Sequence, residues 1–250
     1  MTPIIKICGI TNTDDAVFCI NSGTFFVNMM SGTLFLGFIF AESKRKIDMP
    51  LFEQILNDLK NRDLRQKVKI VAVTVNAEKN LINDIISAGA DFIQFHGDES
   101  PDFTNSFNVQ FIKVFRIGNG VTLRNYADSR NYAEMRNYAD LRNYADSRNY
   151  AFQDYNCDYC LFDTYVENTY GGTGQILDID SVNDAGSIVR AAGKKFFAAG
   201  GITPENILEV IEKTRPDGID LSSGVEASPG IKSREKIRDL FEKLNCYHFR

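Results

Sequence analysis

The 250-residue chain is poor in the residues that hold metals, since it contains only two histidines, His96 and His248, and five scattered cysteines. A four-ligand zinc site is therefore poorly supplied, although Cys157 and Cys160 have the C-x-x-C spacing that zinc and redox sites share. An odd, dispersed set of cysteines favours reduced thiols and a cytoplasmic location. The net charge of -5 lacks the basic excess of proteins that bind nucleic acid or acidic membranes.

Three other signals are missing. No basic stretch followed by an apolar core opens the chain, so no secretory signal is expected. The most apolar stretch, residues 25–41, is shorter than the roughly 20 residues of a membrane span and is interrupted by polar residues, so we expect a helix end and a buried strand there. A G-x-G-x-x-G dinucleotide-binding motif does not follow the first predicted strand.

Apolar runs alternate with helix-like segments along the chain, and most of the runs are continuously apolar, as in parallel strands buried on both faces. The predicted strands are 3–8, 34–40, 68–75, 91–96, 110–116, 158–163, 195–199 and 217–222. The predicted helices are 14–22, 50–60, 78–88, 100–107, 180–192, 204–213 and 233–244. Eight such strands predict an α/β fold and are the number that closes a (β/α)8 TIM barrel, here one domain over residues 1–250. An open doubly wound sheet is the alternative.

Two segments interrupt this alternation. Arg-Asn-Tyr-Ala recurs with a six-residue period over 124–151, which predicts an exposed insertion between strands 5 and 6. That period fits neither a helix nor a coiled coil. Acidic residues in the repeats cancel the field that nucleic acid would need, whereas self-association through the tyrosines stays open. A duplication-like insertion at about 24–32 is expected to lengthen the connection between the first helix and the second strand.

Residues suited to acid–base chemistry stand at the ends of two predicted strands. Cys8 ends the first strand and Asp163 the sixth, where α/β folds bind and react their substrates. A carboxyl group at the tip of an apolar strand is partly desolvated, which favours its protonated form and makes it a candidate acid. A thiolate at Cys8 would be a base, and we expect the helix that begins near Asn12 to lower the pKa of the thiol.

Glycine turns follow strands 7 and 8, and barrels commonly bind phosphate in these two loops. The turns are Ala199-Gly-Gly-Ile202 and Ser222-Ser-Gly-Val225. Arg45 follows the second strand and has the geometry to hold a carboxylate through two hydrogen bonds. His96 ends the fourth strand at the expected mouth of the barrel, and the glycine-rich segment 170–174 suggests a loop that closes over a ligand.

In order along the chain, these segments closely resemble the phosphoribosylanthranilate isomerase family of tryptophan biosynthesis. The motifs that carry the resemblance are Lys6-Ile-Cys-Gly-Ile-Thr11, Gly37-Phe-Ile-Phe40, Ser43-Lys-Arg45, Gln94-Phe-His-Gly97, Leu161-Phe-Asp-Thr164, Tyr170-Gly-Gly-Thr-Gly174, Ala199-Gly-Gly-Ile202 and Asp220-Leu-Ser-Ser-Gly-Val-Glu226. The resemblance implies a (β/α)8 barrel. It also implies an Amadori rearrangement of N-(5-phosphoribosyl)anthranilate to 1-(2-carboxyphenylamino)-1-deoxyribulose 5-phosphate, whose proton transfers need no metal or redox cofactor.

The resemblance also assigns roles to individual residues. Cys8 matches the general base, Asp163 the general acid, and Arg45 the residue that contacts the anthranilate carboxylate. The other substrate-binding positions, including the phosphate grip, are matched by His96, Asp178, Gly200, Gly201, Asp220, Ser222, Ser223 and Gly224. The expected partner is a small phosphorylated substrate rather than nucleic acid or a membrane, and the expected assembly is a monomer or a homodimer.

Two other functions stay open from the residues themselves. A relative of indoleglycerol-phosphate synthase would bind a similar phosphate, but that chemistry needs a catalytic lysine and glutamate on the strand tips, and Cys8 stands where the lysine would be useful. A degenerate barrel whose repeats make it an interaction module is the non-enzymatic alternative. The full set of site residues argues against it.

Overall fold

The structure is a computed structural model that describes residues 3–29, 33–117, 152–164 and 179–247. Its strands form a closed barrel, in which eight parallel strands pair in chain order and the last pairs back with the first. They are β1 (Ile4–Cys8), β2 (Leu34–Ile39), β3 (Lys69–Thr74), β4 (Phe92–Phe95), β5 (Gln110–Ile117), β6 (Tyr159–Thr164), β7 (Lys195–Ala199) and β8 (Gly218–Leu221). The predicted barrel is confirmed and the open sheet is excluded.

Within the described residues, an α-helix follows every strand except β5, in the alternation of a (β/α)8 barrel. They are α1 (Thr13–Met29), α2 (Met49–Asn61), α3 (Lys79–Ala88), α4 (Pro101–Thr104), α5 (Ile179–Ala191), α6 (Ile207–Thr214) and α7 (Arg234–Tyr247). A small antiparallel hairpin, β9 (Glu226–Ser228) with β10 (Ile231–Lys232), lies between β8 and α7. Within the described ranges, no helix has both the length and the apolar character that crossing a bilayer demands.

Helix α1 is longer than the sequence predicts, because it continues past residue 22 to Met29. The small residues Ser22, Gly23 and Thr24 are accommodated inside the helix. The Thr24 hydroxyl donates to the carbonyl of Ile20 at 2.9 Å, and a Cβ on Gly23 would lie only 3.0 Å from the ring of Phe241 on α7. The described part of the expected insertion at about 24–32 therefore extends a helix rather than a loop. Residues 30–32 and 118–151, which include the repeats, lie outside the described residues.

Two other helices are shorter than expected. Helix α4 ends at Thr104 instead of residue 107, although Ser100 caps its start by accepting from the amide of Phe103. Helix α6 begins at Ile207 rather than 204, because the side chain of Asn206 accepts from the amide of Thr203 at 2.8 Å and closes a turn there. This turn leaves the loop after β7 close to the mouth of the barrel.

Aromatic rings fill the lower half of the barrel. Alternate residues on each strand point inward, so the interior is built in levels. The ring centroids at the lower level lie 5.1 to 6.5 Å apart, and the rings belong to Phe35, Phe92, Tyr159 and Phe197. This apolar plug closes one end of the lumen and leaves polar inward positions only toward the other end.

The same alternation aims the polar residues. On β6 the inward series runs from Tyr159 through Leu161 to Asp163, which places the carboxyl group above the plug. On β1 the series includes Lys6 and then Cys8, so ammonium and thiol share the upper lumen. The alternation of side chains along each strand thus points the Lys6, Cys8 and Asp163 side chains into the upper lumen.

A buried ion pair ties the loops after β3 and β4 to β5. Lys113 donates from Nζ to Oε2 of Glu99 at 2.9 Å and to the carbonyl of Gly97 at 2.7 Å, and Glu99 accepts from the amide of Asn76 at 2.8 Å. The Lys113 and Glu99 side chains are 1% and 2% exposed. Burial lowers the pKa of Lys113, against the attraction of Glu99. Breaking such a pair from one side costs about 3–5 kcal/mol, so it stiffens this part of the rim.

The close packing of the aromatic rings predicts that Gly218, the first residue of β8, tolerates no side chain. A Cβ at this position would overlap the ring of Phe197. We expect Gly218→Ala to lower the free energy of unfolding by about 1–3 kcal/mol, the usual cost of overpacking a core. Adding Phe197→Leu removes the obstructing ring and should recover part of the loss in chemical denaturation. A Gly218→Ala protein as stable as the wild type would show that the plug is not packed as described.

Candidate active site

A pocket opens at the carboxyl end of the strands and receives side chains from both halves of the chain. Every predicted site residue within the described ranges lines it, namely Cys8, Arg45, His96, Asp163, Gly200, Gly201, Asp220, Ser222, Ser223 and Gly224. Asp178 and the glycine-rich segment 170–174 lie outside those ranges. The structure therefore brings together in one pocket ten positions that are scattered over most of the sequence.

Cys8 is fixed by the turn that ends β1. Gly9 adopts a φ of 80°, in the left-handed region that favours glycine, and lets the chain turn away from the barrel. The amides of Gly9 and Ile10 both donate to the carbonyl of Gly37 on β2, at 2.9 and 3.0 Å. Asn12 then accepts from the amide of Asp15 at 2.8 Å and starts α1. The thiol is held at the strand tip with only 5% of the residue exposed.

The expectation that a helix N-terminus lowers the pKa of Cys8 is wrong. Burial raises the pKa of the thiol above its usual value, and the main group that works in the other direction is the ammonium of Lys6. Lys6 is itself fully buried and donates to both carboxylate oxygens of Asp220 at 2.9 Å. The sequence reasoning assigned no role to Lys6, although its i, i+2 spacing from Cys8 on a strand places both side chains on one face.

Asp163 and His96 form the opposite side of the pocket. Oδ2 of Asp163 lies 3.3 Å from Nε2 of His96, and their side chains are 12% and 11% exposed. Nε2 of His96 makes no hydrogen bond within the described part of the chain, so the two groups lie close together without one. Gln94, two residues before His96, places its side-chain nitrogen 3.3 Å from Nδ1 and orients the ring. Strands β4 and β6 therefore present an imidazole and a carboxyl group side by side.

Arg45 makes the predicted two-bond grip on a carboxylate, but the carboxylate belongs to the protein. Its Nε donates to Oε1 of Glu226 at 2.8 Å and its Nη2 to Oε2 at 2.7 Å. Lys232 donates to the same Glu226 at 2.9 Å and to the carbonyl of Cys8 at 2.6 Å. A guanidinium has five N–H donors, so those of Nη1 are not used in this pair. Sequence reasoning gave Glu226 no role, because nothing local marks it as the partner.

The charge on Glu226 is stabilised by this arrangement. Burial works to raise its pKa, yet the hydrogen bonds and charges of Arg45 and Lys232 outweigh burial and leave the pKa lowered. Glu226 therefore stays ionised, and the loop after β2 remains tied to the hairpin that follows β8.

The two glycine turns meet beside this cluster. Gly200 and Gly201 have φ values of 100° and 58°, which are left-handed conformations. A Cβ on Gly224 would overlap the carbonyl oxygen of Ile202, so the turn after β8 touches the turn after β7 through backbone alone. No side chain on these glycines covers their amides, which is the construction that anion sites use.

The C-x-x-C pair is not part of the pocket. The sulfur atoms of Cys157 and Cys160 lie 3.8 Å apart as free thiols at the beginning of β6, whereas Asp163 is near the end of that strand. Across the described parts of the chain, no group of three or more histidine, cysteine, aspartate or glutamate residues has the arrangement to hold a metal ion.

Comparison with known proteins agrees with this geometry. The model of the N-(5'phosphoribosyl)anthranilate (PRA) isomerase family matches residues 5–243. The N-(5'-phosphoribosyl)anthranilate isomerase of Nitrosomonas eutropha is 34% identical, over 93% of this chain and 92% of its own. The crystal structure of phosphoribosyl anthranilate isomerase from Thermus thermophilus is 27% identical with a TM-score of 0.71, over 98% of this chain and 99% of its own.

A further solved structure shares the fold, with 24% identity and a TM-score of 0.64 over 98% of this chain and 99% of that one. It is a phosphoribosyl anthranilate isomerase in complex with reduced 1-(o-carboxyphenylamino)-1-deoxyribulose 5-phosphate. Because the family model spans nearly the whole barrel, the assignment rests on the complete fold rather than on one motif. The chain belongs to the N-(5'-phosphoribosyl)anthranilate isomerase family.

Proposed function

We propose that the chain isomerises N-(5'-phosphoribosyl)anthranilate, the activity of its family, with Asp163 as the general acid and Cys8 as the general base. One observation carries the assignment of roles. A carboxyl group on β6 and a thiol on β1 line the same pocket, above an apolar plug that closes the other end. A substrate bound between them can exchange protons with both groups without a metal or a redox cofactor.

The first step opens the sugar ring. Asp163, protonated, donates to the ring oxygen of the aminoribose while the bond between that oxygen and C1′ breaks. The nitrogen lone pair forms the C1′–N double bond of a Schiff base, and Asp163 is left as a carboxylate. Nε2 of His96 lies 3.3 Å from Oδ2 of Asp163, close enough to stabilise the negative charge that forms on the carboxylate.

The second step moves a proton from carbon. The Schiff base withdraws electrons and acidifies the proton on C2′, which the Cys8 thiolate removes. The electron pair forms an enolamine, which becomes the ketone when C1′ takes up a proton and the C2′ hydroxyl releases one. Each proton transfer contributes on the order of 10²–10⁴ in rate in such reactions.

The rest of the pocket supports binding of a phosphorylated, carboxylate-bearing substrate. The backbone turns at 200–201 and 223–224 suit the phosphate, and the remaining N–H groups of Arg45 suit the anthranilate carboxylate. His96, Asp220 and Ser222 complete the proposed contacts, with Asp178 assigned by the resemblance alone. We infer a monomer or homodimer that works in the cytoplasm, where its thiols stay reduced.

The roles of Cys8 and Asp163 are tested by matched substitutions. We expect Cys8→Ala and Asp163→Asn each to lower kcat by about 10² or more, since each removes one proton transfer. Turnover can be followed by the loss of N-(5'-phosphoribosyl)anthranilate.

The controls remove the same groups elsewhere in the fold. Cys19→Ala removes a buried thiol on α1. Asp158→Asn neutralises a carboxylate that accepts a hydrogen bond from the amide of Phe111, at the other end of the barrel. Both should keep near-wild-type kcat even if they melt earlier. Wild-type rates in Cys8→Ala and Asp163→Asn would defeat the mechanism.

The activity itself is tested by complementation. An isomerase-deficient tryptophan auxotroph that expresses this chain should grow without tryptophan, and one that expresses Cys8→Ala at the same level should not. If neither protein supports growth, the chain lacks the proposed activity. If both support growth, Cys8 is not needed for catalysis.

The repeats are expected to have no part in catalysis. Strands β5 and β6 pair from Ile112 with Tyr159 to Ile117 with Thr164, so the barrel wall closes without residues 124–147. Surface connections of different length cost little in closure entropy. We expect deletion of 124–147 to leave kcat and KM within about twofold, measured on the purified protein. Loss of turnover with an unchanged melting temperature would give the repeats a direct role.

A further inference from the structure

Lys6 is a buried cation that the proposed proton transfers do not use. Its side chain is fully buried inside the barrel, in a position where a charge needs a partner. Two of its three N–H donors go to the carboxylate oxygens of Asp220, at 2.9 Å each. The sulfur of Cys8 lies on the same inward face of β1 and close to this ammonium. Lys6 therefore connects the proposed base to a carboxylate on the last strand of the barrel.

Gly37 on β2 shows how tightly the sulfur and the ammonium are held. It lies opposite Cys8 in the strand register. A Cβ at this position would be 2.8 Å from the sulfur of Cys8 and 3.1 Å from Nζ of Lys6. Gly37 is not among the glycines with positive φ, so it is needed for space rather than for backbone conformation. Both atoms thus occupy the small volume that a side chain would fill.

We propose that Lys6 is a positioning residue whose ammonium stabilises the thiolate form of Cys8 when the sulfur ionises for the isomerisation, with Asp220 fixing the ammonium beside it. The proposal rests on the role of Cys8 as the base. It assigns Lys6 no proton transfer and no contact with substrate.

The charges that face Cys8 come from four elements. Lys6 lies on β1, Asp220 on β8, Lys232 on β10 and Arg45 in the loop after β2. Arg45 and Lys232 are both bound to Glu226, whose negative charge offsets them. Lys6 is the cation with the largest effect on the sulfur, although Asp220 works against it.

The electrostatics agree with this geometry in sign. Burial raises the pKa of Cys8, Lys6 and Lys232 work to lower it, and Asp220 adds to the increase. Loss of Lys6 would leave the sulfur next to an unpaired carboxylate, so that the thiol would ionise only at higher pH. Loss of the Asp220 charge would have the opposite effect.

The test measures ionisation of Cys8 without turnover. The rate of alkylation by iodoacetamide is followed against pH, and the modified Cys8 peptide is quantified by mass spectrometry so that the other cysteines do not interfere. We expect Lys6→Met to raise the pH midpoint of Cys8 alkylation by about one unit or more, because the substitution removes a nearby opposite charge that favours the thiolate. Asp220→Asn should lower it. In the same variants, the rise of kcat/KM with pH should move in the same two directions.

Lys113→Met is the matched control. It removes a second fully buried lysine from its carboxylate partner, Glu99, and it destabilises the fold through a pair that does not border the pocket. It should leave the Cys8 midpoint unchanged. A role for Lys6 in stability alone would make Lys6→Met and Lys113→Met alike in this measurement.

The outcomes separate the two proposals. An unchanged midpoint in folded Lys6→Met overturns the role of Lys6, whatever the wild type turns over. If Lys6→Met does not fold, a midpoint in Asp220→Asn that stays or rises overturns it. Opposite shifts in a protein that does not isomerise the substrate would support the role of Lys6 beside the sulfur and reject the proposed function.

Discussion

The pairing of β1 with β8 is the contact on which the site depends. The two strands lie in parallel register from Ile4 opposite Gly218 to Ile7 opposite Leu221, and the amide of Ile4 donates to the carbonyl of Asp217 at 2.8 Å. This pairing places Lys6 opposite Asp220, which is 214 positions away along the chain. Because parallel strands have their carboxyl ends at one rim, closure of the barrel also brings the Cys8 thiol, the glycine turns after β7 and β8 and the Asp163 carboxyl group to one pocket.

Closure of the barrel also gathers buried ion pairs around Cys8. Cations and carboxylates alternate around Cys8, through the pairs Lys6–Asp220 and Arg45–Glu226 and the bond from Lys232 to Glu226. A buried charge without a partner is costly, so each of these groups is retained with its counter-ion. The Asp163 carboxyl group lies on β6, on the other side of the pocket, beside the imidazole of His96. The pocket therefore has one side rich in ion pairs around the thiol and a second side with a carboxyl group and an imidazole.

Much of this could be predicted from the sequence, because continuous apolar runs marked each strand to within one residue at either end. Strand ends in turn placed Cys8, Asp163 and His96 at one rim. The extension of α1 could not be predicted. Gly23 is needed there because the helix packs closely against Phe241 on α7, a contact that the local sequence does not reveal. The pair of Lys6 with Asp220 joins the two ends of the chain across the closed barrel, and no local pattern in the sequence reveals it.

The central claim is that Cys8 and Asp163 act on one sugar from two sides of this pocket. A crystal structure of the protein with reduced 1-(o-carboxyphenylamino)-1-deoxyribulose 5-phosphate tests it most directly. The account predicts the Cys8 sulfur and an Asp163 oxygen within roughly 3.5 Å of the C1′–C2′ region or its oxygens, the distance of reacting groups, with the phosphate at the turns after β7 and β8. A ligand whose phosphate lies elsewhere, or whose C2′ is out of reach of the sulfur, would contradict it.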